Sequence, residues 1–165
     1  MPHRQTSHSE CNNPLEVIAS IANHHAWPLH CAGDGELTLA VEGKRADYEV
    51  FFTWMSELEV FHLACVFEMK VPEQRRPEIQ RLIASINEQL WLGHFDLWME
   101  DGTVVFRQAL LLVGGAAASV RQCEVMLGAA LDACERYHPA FAFVMAAQTA
   151  ENALDAALFE TAGEA

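Results

Sequence analysis

Phe95-Asp96-Leu97-Trp98-Met99-Glu100-Asp101-Gly102-Thr103-Val104-Val105-Phe106-Arg107 is the stretch that decides how this chain folds. Apolar and polar residues alternate on both sides of Asp101-Gly102, and an Asp-Gly pair suits a type I′ turn, so the stretch reads as a β-hairpin. A two-residue loop fixes the register. It sets Met99 opposite Val104 and Leu97 opposite Phe106 on a core face, with Asp96 opposite Arg107 on the outer face. A slip by one residue would carry Arg107 into the core. The two strands of the hairpin run over Phe95 to Glu100 and Thr103 to Leu112.

Upstream of the hairpin the period is again two. Leu37, Leu39 and Val41 alternate with polar residues, and Glu42-Gly43-Lys44-Arg45 supplies a turn. Tyr48, Val50, Phe52 and Trp54 then share one face, with Asp47, Glu49, Phe51 and Thr53 on the other. After Ser56-Glu57, the residues Phe61, Leu63, Cys65, Phe67 and Met69 alternate with His62, Ala64, Val66, Glu68 and Lys70. Three such segments with short links imply an antiparallel meander. Between meander and hairpin, Pro72 and Pro77 bracket the start of a helix. Its Ile79, Leu82, Ile83, Ile86 and Leu90 follow helical spacing until Gly93.

At the N-terminal side, Asn13 as N-cap, Pro14 at the first position and Glu16 at the third open another helix. Its stripe is Leu15, Val17, Ile18, Ile21 and Ala22, and it ends before Trp27-Pro28. Past Gly114-Gly115 a long helix runs from about Ala118 to Tyr137. Pro139 is expected to break or kink it, and Thr149 with Glu151 opens a last helix. Strands cluster rather than alternate with helices, so the fold class is α+β. The expected architecture is a five-stranded antiparallel sheet packed against helices, in the order αβββαββα plus a C-terminal helix. Residues 1–12 are expected to be a disordered tail, and 13–165 a single domain.

The 165 residues are enough to bury a core without disulfide or metal. With 52% apolar and 20% charged residues, disorder is a poor fit. The net charge of −13 repels a phosphate backbone, so neither nucleic acid nor an anionic membrane is an expected partner. The densest basic group, Arg75, Arg76 and Arg81, reads as a solvated face at the start of a helix. No apolar stretch has the length to cross a bilayer. Five cysteines without a C-x-x-C pair, and a polar N-terminus without a signal sequence, point to the reducing cytoplasm with free, mostly buried thiols.

The candidate chemistry dissolves residue by residue. His24, His25, His30 and Cys31 are close in sequence, but adjacent helical residues diverge and no H-x-x-x-H is present, so no metal site is expected. Cys65 and His62 lie three apart on a strand and point to opposite faces, so they cannot form a nucleophile–base pair. Cys123 and Cys134 belong to a helical apolar stripe. Gly114-Gly115-Ala116 lacks the Lys and Ser/Thr of a P-loop. No catalytic, cofactor-binding or metal-binding residue emerges, and the chain is expected not to be an enzyme. The positive signal is the outer sheet face, where Phe51, Val66, Trp98, Val105 and Leu111 sit among charges. Either the C-terminal helix covers them, or they form a protein-interaction patch.

Certain segments carry a family resemblance. Pro72-Glu73-Gln74-Arg75-Arg76, Leu82-Ile83-Ala84-Ser85-Ile86-Asn87, Leu92-Gly93-His94-Phe95-Asp96 and Val105-Phe106-Arg107 resemble the YbjN family, described as bacterial sensory-transduction regulators. The tail from Glu151 to Ala165 is similar to proteobacterial members, although Val144-Met145-Ala146-Ala147-Gln148 departs from a Gly-rich junction. The resemblance is most specific at Asn87 and Gly93-His94-Phe95-Asp96. It implies a fold like that of type III secretion chaperones, often dimeric, and no catalytic residues or cofactors to carry over. The expected function is a non-enzymatic, homodimeric protein-binding regulator or chaperone-like module. The alternative is a small-molecule sensor with a pocket between sheet and helices.

Overall fold

Asn13 caps helix α1, Pro14–His25: its Oδ1 accepts the Leu15 N–H at 3.0 Å. The computed structural model describes the backbone of residues 13–162 and the side chains of residues 13–147; the expected tail at 1–12 lies outside the described residues. Ala26 closes α1 in the left-handed region at φ 56, its N–H bonded back to Ala22 and Asn23 carbonyls. Then follow strands β1 (Leu29–Cys31), β2 (Glu36–Glu42), β3 (Asp47–Met55) and β4 (Val60–Lys70). Helix α2 (Arg76–Asn87) separates them from β5 (His94–Trp98) and β6 (Thr103–Leu111), and α3 (Val120–Ala162) ends the described chain.

The sheet is antiparallel throughout, in the order β1-β2-β3-β4-β6-β5. It has six strands where five were expected. The extra strand, β1, spans three residues that are all exposed, so it carries no alternation for a sequence reading to detect. In the meander, by contrast, Leu37, Leu39, Val41, Tyr48, Val50, Phe52, Phe61, Leu63, Cys65 and Phe67 are buried on the core face, as the period predicts.

The hairpin register differs from the expected one. Phe95 lies opposite Phe106, Leu97 opposite Val104 and Asp96 opposite Val105. The loop is therefore Met99 to Gly102 rather than Asp101-Gly102 alone. The shift is an even one, so every side chain keeps its face, but Met99 leaves the core and is 52% exposed. Contacts remote in sequence outweigh the local preference for a tight turn. Val71 N–H donates to Gly102 O at 2.8 Å, and Arg76 Nη1 donates to Met99 O at 2.7 Å. Lys70 pairs with Asp101, whose carboxylate also accepts the Thr103 N–H at 3.1 Å. Gly102 takes φ 75, and any Cβ there would collide with the Val71 carbonyl. The loop is thus anchored to the connection leaving β4.

The arginines at the start of α2 are not a solvated face. Arg75 is 8% exposed and pairs with Glu78 at 2.5 Å, while Arg76 holds the hairpin loop. Only Arg81 of the three is exposed.

Helix α3 is continuous from Val120, without a second helix opening at Thr149. A capping box sets its beginning: Gln122 N–H donates to Ser119 Oγ at 3.1 Å, and Ser119 N–H to Gln122 Oε1 at 2.9 Å. Pro139 removes the bond to the Glu135 carbonyl but does not end the helix. Buried anchors on both sides of it, Cys134 and Phe141, hold the two segments to one core. Phe141 packs at a tilt against Phe95 and Phe67, with ring centroids 5.3 and 5.9 Å away. Cys134 Sγ lies 3.6 Å from Cys65 Sγ, so helix and sheet touch at the two thiols. At the next residue, Glu135 Oε1 accepts the N–H groups of Lys44 at 2.7 Å and Arg45 at 3.3 Å. Burial would raise this carboxyl, but those N–H groups and the Tyr48 hydroxyl outweigh it and hold it below its usual range. Its stabilising effect is present above the ordinary carboxylate range and lost as the pH falls through its depressed value. Glu135→Gln is therefore expected to flatten the acid limb of a stability–pH curve, as measured by urea melts.

Candidate protein-interaction face

All three helices pack on one face of the sheet, where their buried residues join those of the strands in one cluster. The other face is left uncovered by the described part of α3. All five residues expected to mark an interaction patch lie on that outer face, in unlike surroundings. Phe51, Trp98 and Leu111 are 36%, 41% and 66% exposed. Val66 is half-buried, and Val105 is fully buried beneath its neighbours. Phe51 pairs with Ala64, and Val66 with both Glu49 and Val105, which makes a central apolar strip. Trp98 and Leu111 fall at opposite ends of β5–β6. At about 3.4 Å per residue they are roughly 27 Å apart along the strands, too far for one compact contact.

Around Leu111 the structure assembles residues that sequence reasoning missed. Met55 pairs with Val60, and Val60 with Leu111, across three strands. Met55 is 39% exposed, Leu58 in the intervening turn 63%, and Val113 just beyond β6 58%. Leu58 in a turn was a visible anomaly in the sequence. The row itself was not visible, because it needs β4 to pair with β6 and skip β5.

Polar groups frame the strip. Arg107 Nη1 lies 3.4 Å from Asp96 Oδ2, on the diagonal rather than directly opposite, and its Nε donates to His62 Nε2 at 3.3 Å. Burial, then the charges of Arg107 and His94, hold the His62 imidazole below its ordinary 6.5. The folded state therefore binds this proton less well than the unfolded chain. Stability is full above about 6.5 and falls as the pH drops through that value. His62→Gln should make the loss on acidification shallower in urea melts, by a modest amount because the ring is half-exposed.

The β5 edge is blocked at Phe95 and at the Leu97 N–H. Asn87 Nδ2 donates to Phe95 O at 3.0 Å and Asn87 Oδ1 accepts Phe95 N–H at 2.8 Å; Asp96 Oδ1 accepts Leu97 N–H at 2.8 Å. Side chains thus occupy the outward backbone groups that would otherwise invite another strand.

As for chemistry, among the described residues no three His, Cys, Asp or Glu side chains converge as metal ligands. His62 and Cys65 face opposite sides, as their spacing requires. The Cys65 bond and burial push the Cys134 thiol well up, and burial pushes Cys123 to about 11, so neither supplies a thiolate near neutrality. Cys31 is exposed.

A family model described as "Putative bacterial sensory transduction regulator", YbjN, matches residues 14–143. The chain belongs to the YbjN family. The match takes in every strand of the sheet and both faces described above. Two solved structures share the fold. A chain of the ExsC–ExsE complex superposes with TM-score 0.55 at 21% identity, covering 74% of this chain and 88% of that one. YbjN from E. coli superposes with TM-score 0.52 at 9% identity, covering 84% and 93%. No curated protein matches the sequence. The YbjN-family fold is α+β and like that of a type III secretion chaperone, as the resemblance implied. Among the described residues no helix is long and apolar enough to cross a membrane.

Proposed function

We propose that residues 13–165 form one non-enzymatic domain that binds a protein partner through the outer face of its sheet, as a regulator or chaperone-like module. The observation carrying this is the apolar exposure on a face that the described helices leave bare: Phe51, Trp98, Leu111 and Met55 are each at least 36% exposed. Apolar anchors among charges are what protein interfaces use, with the anchors supplying affinity and the charges specificity. The solved ExsC–ExsE complex, a fold relative bound to a protein, and the family's description as regulators support the reading. A homodimer in the cytoplasm is part of the proposal.

The test is affinity purification from the native organism with wild type and two variants, Trp98→Asp and Leu111→Asp. At least one should lose partner capture about tenfold or more while its circular dichroism and melting stay native. If both capture the same partner at wild-type level, the outer face is not the interface. If Trp98→Asp unfolds the protein, Trp98 belongs to the core and leaves the interface. Sedimentation showing a monomer at micromolar concentration would remove the dimer.

A second reading, small-molecule sensing, has one observation in its favour. A cavity of about 970 Å³ lies at the end of the sheet beside Trp27, Tyr48 and Met69. That volume suits a metabolite. A thermal-shift screen separates the readings, because a ligand of this cavity raises the melting temperature without any partner protein.

A further inference from the structure

Strand β6 runs on past the beginning of β5. Pairing with β5 covers β6 from Thr103 to Arg107, whereas pairing with β4 continues to Leu111. Two observations fix which backbone groups this leaves open. Leu112 N–H donates to Glu59 O at 2.8 Å, in phase with the β4–β6 ladder, so the even-numbered β6 residues bond to β4. Asn87 takes both backbone groups of Phe95, so Phe95 and Phe106 form an unbonded pair across β5–β6. Both place the N–H and C=O of odd-numbered β6 residues on the β5 side. At Ala109 no residue of β5 remains to meet them, and its N–H opens into a notch.

A cavity of about 450 Å³ fills that notch. Arg107, His62 and His94 wall it on the outer sheet face, and Trp91 and Leu92 wall it from the α2–β5 connection. Although the chain carries −13 overall, no carboxylate lines this cavity among the described residues. Asp96 and His62 engage only part of the guanidinium, at 3.4 and 3.3 Å. Trp91 is 99% exposed and Leu92 50%. A wholly exposed indole beside a cationic cavity offers a flat apolar platform next to charge.

We propose that this notch binds a small oxyanion carried on a flat apolar body, an aromatic carboxylate being the simplest case. The carboxylate meets the Arg107 guanidinium and the Ala109 N–H, and the ring lies over Trp91 and Leu92. The volume falls in the range of small-ligand sites, and charge-assisted bonds to Arg orient planar anions well. The site does not depend on the protein-partner reading.

Benzoate, its uncharged analogue benzamide and inorganic phosphate are the probes, added to the full-length protein and followed by NMR at the His62 imidazole and the Trp91 indole. His62→Gln and Trp91→Phe spectra assign the two signals. Benzoate is expected to raise the His62 titration midpoint, since a bound anion opposes the charges of Arg107 and His94 that depress it; its other close partner, Thr53 on β3, is uncharged. Phosphate should bind more weakly, and benzamide not at all. Arg107→Met should weaken benzoate about tenfold or more. Trp91→Ala, at a fully exposed position that folding does not need, should weaken benzoate and leave phosphate unchanged. The proposal is overturned if benzoate moves neither signal, if benzamide binds as well as benzoate, or if Trp91→Ala leaves benzoate affinity intact.

Discussion

Phe106→Ala is expected to destabilise the protein by about 3–5 kcal/mol, a large share of the total stability of a domain of this size. Phe106 is fully buried at the middle of β6, opposite Cys65 on one side and Phe95 on the other. Its ring meets Phe95 edge-on with centroids 5.3 Å apart, and Phe95 in turn meets Phe141 of α3 at the same distance. Truncation would open a cavity where the hairpin, the meander and the helix layer converge, and none of the three can collapse into it independently. Phe51→Ala is the control: an equally large ring, 36% exposed on the outer face, should cost about 1 kcal/mol or less. Urea denaturation of both variants, with the slope unchanged, checks the contrast. A loss below about 1 kcal/mol for Phe106→Ala would place the core elsewhere.

What the sequence disclosed follows from the range of the interactions responsible. Alternation and helical spacing are local, so the meander, α1, α2 and the two faces of the sheet were legible. The Ser119-x-x-Gln122 capping box is equally local, and it puts the start of α3 at Val120 rather than at the expected Ala118. The hairpin register was not, because Val71, Lys70 and Arg76 hold Met99 to Gly102 from outside the hairpin. Nor was the continuity of α3 across Pro139, which depends on tertiary anchors on either side.

The candidate face divides in the same way. Phe51, Val66, Trp98, Val105 and Leu111 were assigned to the outer face by parity alone, and an even register shift leaves parity intact. Whether they cluster is a matter of strand order. The adjacency of Met55, Val60 and Leu111, and the notch beyond β5, both arise because β6 inserts between β4 and β5. No local pattern encodes that.

Gly93→Val is expected to cost roughly 3 kcal/mol or more, and Gly93→Ala somewhat less. Gly93 sits at φ 67, where an L side chain is strained, and a β-branched one most of all. Any Cβ there would also overlap the Phe106 ring and approach the Arg107 carbonyl to 2.8 Å. The ring is locked in the core and the carbonyl belongs to the β5–β6 ladder, so neither can yield cheaply. The same few residues explain why the resemblance to the family is sharpest here. Gly93 lets the chain turn tightly over Phe106, Phe95 then enters the core, and Asn87 and Asp96 seal the backbone groups that β5 leaves at the edge. Asn87→Ala, which only unseals that edge, should cost less, about 1–3 kcal/mol. It should also raise the tendency to self-associate, because the Phe95 N–H and C=O become available to another strand. Urea melts rank the three variants, and light scattering distinguishes them. Gly93→Val should be unstable without gaining strand-mediated association below its melting point, whereas Asn87→Ala should associate while still folded. If Gly93→Val proved as stable as Asn87→Ala, the close approach at Phe106 would not be a constraint on the fold.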